Sequence, residues 1–277
     1  MKYANLHLHS NHSDAMFTPE QLILLGKSLG YHALALTDHE TDSGVKSFVH
    51  HAIAEGGIQA ISGVEFYGVV DGENIHLTAL DYDMDNPAFR AFVKNRVDLQ
   101  CEKNKKLVEY GIKIGVIEGI TFDDVVAANP DGAWLCIDSV MNAYRQKKML
   151  PPANLRADVF RSEYAKSVAV PSPSAEEVIK VVRGASGIVA IAHPYKKTHL
   201  IPKLVEFGLN GVEISHPDNY ENTSYLAEEM AKTYNLYRSG GTDHTGVMSG
   251  CGGKHATSAL QGITEEEFYT LKERRLG

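Results

Sequence analysis

Short apolar runs that each stop at a histidine or a carboxylate recur along this chain, and that repetition constrains the fold more than any other feature. His7-Leu8-His9 closes the first run, and Ser13-Asp14 follows it. Thr37-Asp38-His39 comes after Ala33-Leu34-Ala35-Leu36, and Glu65 comes after Ile61-Ser62-Gly63-Val64. His193-Pro194 closes Ile188-Val189-Ala190-Ile191-Ala192, and Asp243-His244 ends a glycine-rich run that begins near Tyr237. His76 lies on a further apolar stretch, Ile75 to Leu80. Side chains alternate faces along a strand, so His7 and His9 leave theirs on the same side. In a parallel barrel the carboxyl ends of all strands open on one face, where active sites sit. Donors scattered along the chain then meet in space, and a mixed nitrogen and oxygen set suits Mn, Fe or Zn better than Mg.

Seven strands are predicted, at about 3–8, 33–37, 58–64, 74–81, 188–192, 211–215 and 237–242. They alternate largely with helical stretches near 19–30, 44–55, 174–184, 200–208 and 218–234. That alternation argues for an α/β fold with a parallel sheet and helices outside it. Thr18-Pro19-Glu20 opens the first helix with a cap and a first-turn proline. Residues 87–166 break the pattern with polar helical segments from Pro87, Phe122, Ile137 and Leu155. Turn signals at Asn129-Pro130-Asp131-Gly132 and Pro151-Pro152 separate those segments. The organisation expected is a barrel of residues 1–86 and 167–277, with an inserted helical domain over 87–166 capping its mouth. Charge divides the same way. The insertion holds 13 Lys/Arg against 10 Asp/Glu, a net of +3, and the remainder of the chain carries −11, for a total of −8. A slightly basic lid over an acidic metal-holding barrel suits a small phosphorylated substrate.

With these motifs in view, the chain resembles the PHP (polymerase and histidinol phosphatase) domain of the amidohydrolase superfamily. The resemblance rests on His7 and His9, Ser13-Asp14, Thr37-Asp38-His39, Gly63-Val64-Glu65, His76, Ala192-His193-Pro194 and Gly241-Thr242-Asp243-His244, in family order. It implies a distorted seven-stranded (β/α) barrel with a trinuclear site that hydrolyses phosphate esters. His7, His9, Glu65 and Asp243 would hold one ion, and Glu65 would bridge to a second held by His76 and His193. Asp14, His39 and His244 would hold the third. Two departures stand out. Ala15 occupies a position that is usually Gly, and it tolerates positive φ poorly. His244 directly follows Asp243, whereas the family motif is Asp-x-His, so His244 reaches the third ion only through a rearranged loop. Otherwise His255 or a water completes that shell, or the site holds two ions. Two or three divalent ions would lower the pKa of a bound water, and a bridging hydroxide would attack phosphorus in line.

Two further residues are candidates for contact with substrate. His216 ends the sixth predicted strand and so faces the same mouth, in a substrate or proton-transfer role. Arg145, in Arg145-Gln146-Lys147-Lys148, is able to grip two phosphate oxygens, or else complements its helix dipole. His12, His32, His50, His51 and His199 read as surface or structural residues. No Walker loop, nucleophile elbow or Cys-x5-Arg signature competes with the metal reading. The net charge of −8 argues against long nucleic acids, though not against short oligonucleotides at an exonuclease site. An inactive PHP module serving as a binding scaffold would show several donors replaced, and nearly all are intact here. No apolar stretch reaches membrane-spanning length and no signal peptide is visible. Cys101, Cys136 and Cys251 follow no metal spacing and read as reduced thiols of a cytoplasmic protein. Oligomeric state is left open.

Overall fold

The computed structural model describes residues 2–245 and 261–274. The fold is α/β, with two sheets forming its body. β1 (Ala4–Asn5), β2 (Ala33–Ala35) and β3 (Gln59–Ile61) run parallel in that order. β4 (Gly63–Val70), β5 (Glu73–Leu80), β6 (Ile188–Ile191), β7 (Gly211–Ser215) and β8 (Tyr237–Gly240) form the second sheet in chain order. Within this second sheet β5 is antiparallel to both β4 and β6, and β6, β7 and β8 pair in parallel.

The expected seven parallel strands are thus corrected, among the described residues, to eight strands in two sheets with an antiparallel hairpin. The physical reason lies in the third predicted strand. It breaks at Ser62, and the chain then stays extended to Val70 before reversing at Asp71-Gly72. Both turn residues have positive φ, 51° and 78°. That pair of conformations matches the right-handed twist of a two-residue hairpin.

Backbone bonds join the sheets at both edges, at the ends that carry the motif residues. Leu6 N donates to Gly240 O at 2.9 Å, and Asp243 N donates to His7 O at 2.9 Å. Across the other edge Glu65 N donates to Asp38 O at 3.1 Å, and Glu40 N donates to Glu65 O at 2.8 Å. Helices cover the outer faces. α1 (Pro19–Ser28) starts with a capping box between Thr18 and Gln21, and α2 (Val45–Glu55) runs beside it. Leu22, Ile23 and Phe48 from this pair are buried with Leu34 and Leu36 of the first sheet.

The segment from residue 87 is helical, as its composition suggests. It contains α3 (Pro87–Lys113), α4 (Phe122–Ala127), α5 (Ile137–Gln146), a π-helical turn at Leu155–Phe160 and α6 (Glu163–Ser167). Leu107, Val125, Val140, Tyr144 and Val159 bury one another in a core of its own. The first turns of α3 belong elsewhere, since Phe89 and Val93 are buried with Phe66 and Tyr82 of the body. One long helix therefore serves two cores. After it come α7 (Ala175–Gly184), α8 (Ile201–Glu206) and α9 (Thr223–Tyr234), packed on the second sheet. α10 (Glu265–Glu273) opens with a Thr264–Glu267 capping box and buries Phe268 and Leu271 against Leu6, Leu80 and Ile188. Among the described residues no helix is long and apolar enough to cross a membrane.

Close approach at the sheet junction makes a direct test. A Cβ on Gly63 would lie 2.3 Å from Leu36 O, a backbone atom that cannot swing aside. Gly63→Ala should cost about 1–3 kcal/mol in urea unfolding, the usual range for overpacking. Gly184→Ala should be neutral or stabilising, because its added Cβ meets nothing within 4 Å. Equal stability of Gly63→Ala and the parent would show that the junction is looser than this distance requires.

Candidate metal centre

Glu65 lies on β4 and is 1% exposed, and its carboxylate is ringed by imidazoles from four other stretches of chain. Its Oε1 lies 2.9 Å from His76 Nδ1, 3.0 Å from His193 Nε2 and 3.4 Å from His7 Nε2. Its Oε2 lies 3.0 Å from His39 Nδ1 and 3.4 Å from His9 Nε2. Asp243 closes the cluster with Oδ1 2.9 Å from His9 Nε2 and 3.7 Å from His7 Nε2. Asp14 sits on the far side, 3.6 Å from His9 Nδ1 and 3.8 Å from His39 Nε2. A cavity of about 150 Å³ opens over this cluster, lined by Asp14, His39, Glu65, His76, His193, Asp243 and Thr245.

Strand geometry explains the convergence. His7 and His9 follow β1 two residues apart, and His39 follows β2 and bridges in parallel to Glu65. Tyr67 and His76 are partners across the β4–β5 hairpin. His193 and Asp243 take positive φ values of 29° and 49° just past β6 and β8. Such conformations cost on the order of 1–3 kcal/mol and persist where the surroundings over-determine them. Here hydrogen bonds hold both: Glu213 Oε2 accepts from His193 N at 2.7 Å, and Asp243 N donates to His7 O.

The donor set fits divalent cations. Ligand atoms of His7, His9 and Asp243, of His9, His39 and Glu65, and of Glu65, His76 and His193 each lie within 4.8 Å of one another. The buried ring nitrogens His7 Nε2, His9 Nδ1, His9 Nε2 and His39 Nδ1 make no well-formed hydrogen bond. Buried polar atoms of that kind need a partner. Electrostatics point the same way. Burial disfavours charge on His7, yet Glu213, Glu65 and Asp243 outweigh it and hold its pKa well above the ordinary value. His9 is pushed up to about 9 against the same burial, by Asp243, Asp14 and Glu65. Burial also opposes ionisation of Glu65 and Asp243, but the imidazoles keep both well below the usual carboxylate range. His39 goes the other way, because burial outweighs Glu65 and Asp14. A buried site that draws protons onto its ligands calls for positive charge. A divalent cation supplies that charge and displaces the protons.

The PHP domain family model matches residues 5–246. The chain belongs to the PHP domain family. It is 28% identical over 258 residues to a 5'-3' exoribonuclease of Haemophilus influenzae, covering 87% of this chain and 89% of the relative. It is 26% identical to the phosphoribosyl 1,2-cyclic phosphate 1,2-diphosphodiesterase of Eggerthella lenta, covering 87% of this chain and 94% of that one. A 3',5'-nucleoside bisphosphate phosphatase of Chromobacterium violaceum is 24% identical, with coverages of 88% and 87%. Among solved structures, a Bifidobacterium adolescentis protein described as a metal-dependent phosphoesterase superposes with a TM-score of 0.82 at 24% identity, covering 99% of this chain and 96% of that one. These structural likenesses concern the fold.

Around the PHP cluster stands a frame of supporting residues, of which Glu213 also forms a close donor group with His7 and His216. Asp38 accepts from Ser10 N at 2.7 Å, Ser10 Oγ at 2.6 Å and Ser13 Oγ at 2.5 Å, which folds the Asp14 loop back beside His9. Ala15 does not take positive φ, so the missing glycine brings no strain. Glu213, which the sequence motifs pass over, is 1% exposed and lies 3.1 Å from His7 Nδ1. Its signal is a lone carboxylate inside the apolar run Gly211-Val212-Glu213-Ile214.

The other sequence candidates fall in different places. His216 is fully buried, with Nε2 3.5 Å from Asp243 Oδ2 and Nδ1 accepting from Asp218 N at 2.9 Å. It stands behind Asp243 instead of facing the cavity. His244 belongs to none of the close donor groups found among the described residues. Its backbone pairs with Leu8, and its ring stacks on Phe17 at 5.4 Å. Arg145 is exposed near the end of α5, with Nη1 on Asn142 Oδ1 at 2.6 Å, and it does not line the cavity. His255 and Cys251 lie outside the described residues.

Glu213 sets up a test of this frame. Outer partners of ligating histidines typically tune metal affinity 10- to 100-fold. Glu213→Gln should therefore lower the affinity for Mn by a factor of about 10 to 100 in competition with a chelator. Unchanged affinity would show that the Glu213–His7 contact does not orient the ring.

Proposed function

We propose that this protein is a metal-dependent phosphoric ester hydrolase acting on a small phosphorylated substrate such as a nucleotide or sugar phosphate. The observation that carries this reading is one buried carboxylate, Glu65, shared by five imidazoles at the floor of a cavity of about 150 Å³. Sites for drug-sized ligands run to about 300–1,000 Å³, so this cavity suits a phosphoryl group and ions more than a whole ligand. The names of the relatives from Eggerthella lenta and Chromobacterium violaceum support hydrolysis of small phosphate esters. The exoribonuclease from Haemophilus influenzae supports a second reading, removal of nucleotides from short RNA ends. With every motif donor but His244 in the close donor groups or, for Asp14, within 3.8 Å of their imidazoles, an inactive module is disfavoured.

His7, His9, Asp243 and Glu65 would hold one ion, and Glu65, His76 and His193 a second. A third position has Asp14 and His39 beside it, and it stands without His244. Bound ions would neutralise phosphate oxygens and activate water. The chain's own residues do the positioning. Glu65 would be shared between the two ions, and Glu213 orients His7 while holding the His193 backbone. His216 accepts from Asp218 N at Nδ1 and turns Nε2 toward Asp243, which it steadies as a positioning residue. The two sheets, bonded at both edges, act as one distorted barrel wall, and the helical segment 87–166 serves as its cap. Reduced thiols at Cys101 and Cys136 would fit a cytoplasmic setting.

Three measurements test the reading. Elemental analysis of purified protein should find two to three Mn, Fe or Zn per chain; no metal, and no activity on adding Mn, would refute it. A phosphate-release screen over nucleotides, sugar phosphates and short oligonucleotides should find turnover that Glu65→Gln lowers about 10³-fold, since a charge shared by two cations is lost. Undiminished turnover would remove Glu65 from its role. His244→Ala should leave metal content unchanged, whereas loss of one ion would restore His244 as a ligand.

A further inference from the structure

The cavity over Glu65 has room for a phosphoryl group, so the rest of any ester must lie at its rim. Two aromatic rings stand against the cavity's lining residues His39 and His76. The Tyr67 ring stacks on His39 at 5.2 Å and 13°, and meets His76 edge-on at 4.6 Å. Trp134 approaches His39 at 5.4 Å and Tyr67 at 6.0 Å. Tyr67 comes from β4, but Trp134 comes from the helical segment, on the stretch between α4 and α5. That stretch is pinned to the body. Trp134 N donates to His12 O at 2.8 Å, and Thr41 Oγ1 donates to Gly132 O at 2.7 Å. Trp134 is only half-buried, so part of this large apolar residue stays open to solvent close to His39.

Resting on the phosphoesterase reading, we propose that Trp134, with Tyr67, forms a stacking platform for the base of a nucleoside phosphate whose phosphoryl group sits at Glu65. Stacking suits this place because every base has a π-face, whereas a sugar phosphate offers none. Selection is then for nucleotides over sugar phosphates, with tolerance among the bases. The alternative is that Trp134 only braces His39. A brace would affect every substrate alike.

Trp134 is the only tryptophan in the chain, so its emission reports on this site directly. The probes are the 5'-phosphonates of adenosine and of ribose, in which a methylene replaces the ester oxygen and blocks hydrolysis. On the Mn-loaded protein, the adenosine phosphonate should quench Trp134 and bind about tenfold or more tighter than the ribose phosphonate, within the range of one base–aromatic stack. By calorimetry, Trp134→Ala should bring both to the affinity of the ribose compound, and Trp134→Phe should keep most of the preference. Equal binding of the two by the parent protein, absence of quenching, or equal weakening of both by Trp134→Ala would overturn the platform. If Trp134→Ala fails to fold, the quenching and Trp134→Phe comparisons decide. Failure of both phosphonates to bind would overturn the phosphoesterase reading with it. Equal binding of both would remove the platform alone.

Discussion

One buried carboxylate within 3.4 Å of five imidazoles is an arrangement the protein alone does not balance. Glu65 needs compensating charge, and the imidazoles need something to bind with nitrogens that burial has cut off from water. Protonation of His7 and His9 answers part of that demand, and divalent cations would answer all of it. The rest of the fold serves to keep the demand in place. β1, β2, β4, β5 and β6 must each end or pass within reach of the same carboxylate. The edge bonds between Asp38, Glu40 and Glu65, and between His7 and Asp243, fix the sheets to each other at that spot.

Beyond the apolar packing of the first turns of α3 on the body, polar contacts tie the helical segment to the cluster. Arg96 of α3, itself buried, donates through Nε to Glu40 Oε2 and through Nη1 to Pro171 O. Glu40 directly follows His39 and accepts from Tyr67 N at 2.8 Å. Burial raises the Glu40 pKa, and Arg96 offsets that penalty. One guanidinium therefore links the residue after His39 to the chain where it returns to the body at Pro171. Breaking a buried pair of this kind leaves an uncompensated charge, commonly a loss of about 3–5 kcal/mol. The attachment of the segment to the body is coupled in this way to the residue that follows His39.

Much of the site is legible in the amino-acid sequence. Donors at strand ends, and donors two residues apart on one strand, follow from the period of two and from which way strands open. What stays hidden has equally physical causes. Asp71-Gly72 is a strong hairpin signal, but the apolar stretches on either side read as separate strands of a parallel sheet, which masks the antiparallel pairing. Glu213 is invisible to a motif search because it binds a ring nitrogen from behind. His244 looks like a ligand because of its residue type, and the Leu8 pairing turns its ring toward Phe17. The Thr264–Glu267 capping box announces α10, yet nothing in one sequence says that Phe268 fills the floor under β1.

The central claim is that Glu65 is shared between ions, and diffraction at the absorption edge of Mn tests it most directly. Crystals of the Mn-loaded protein should show at least two anomalous peaks, each about 2.0–2.3 Å from a Glu65 oxygen and from imidazole nitrogens of the cluster. A single peak held away from Glu65, or none in the cavity, would contradict the account.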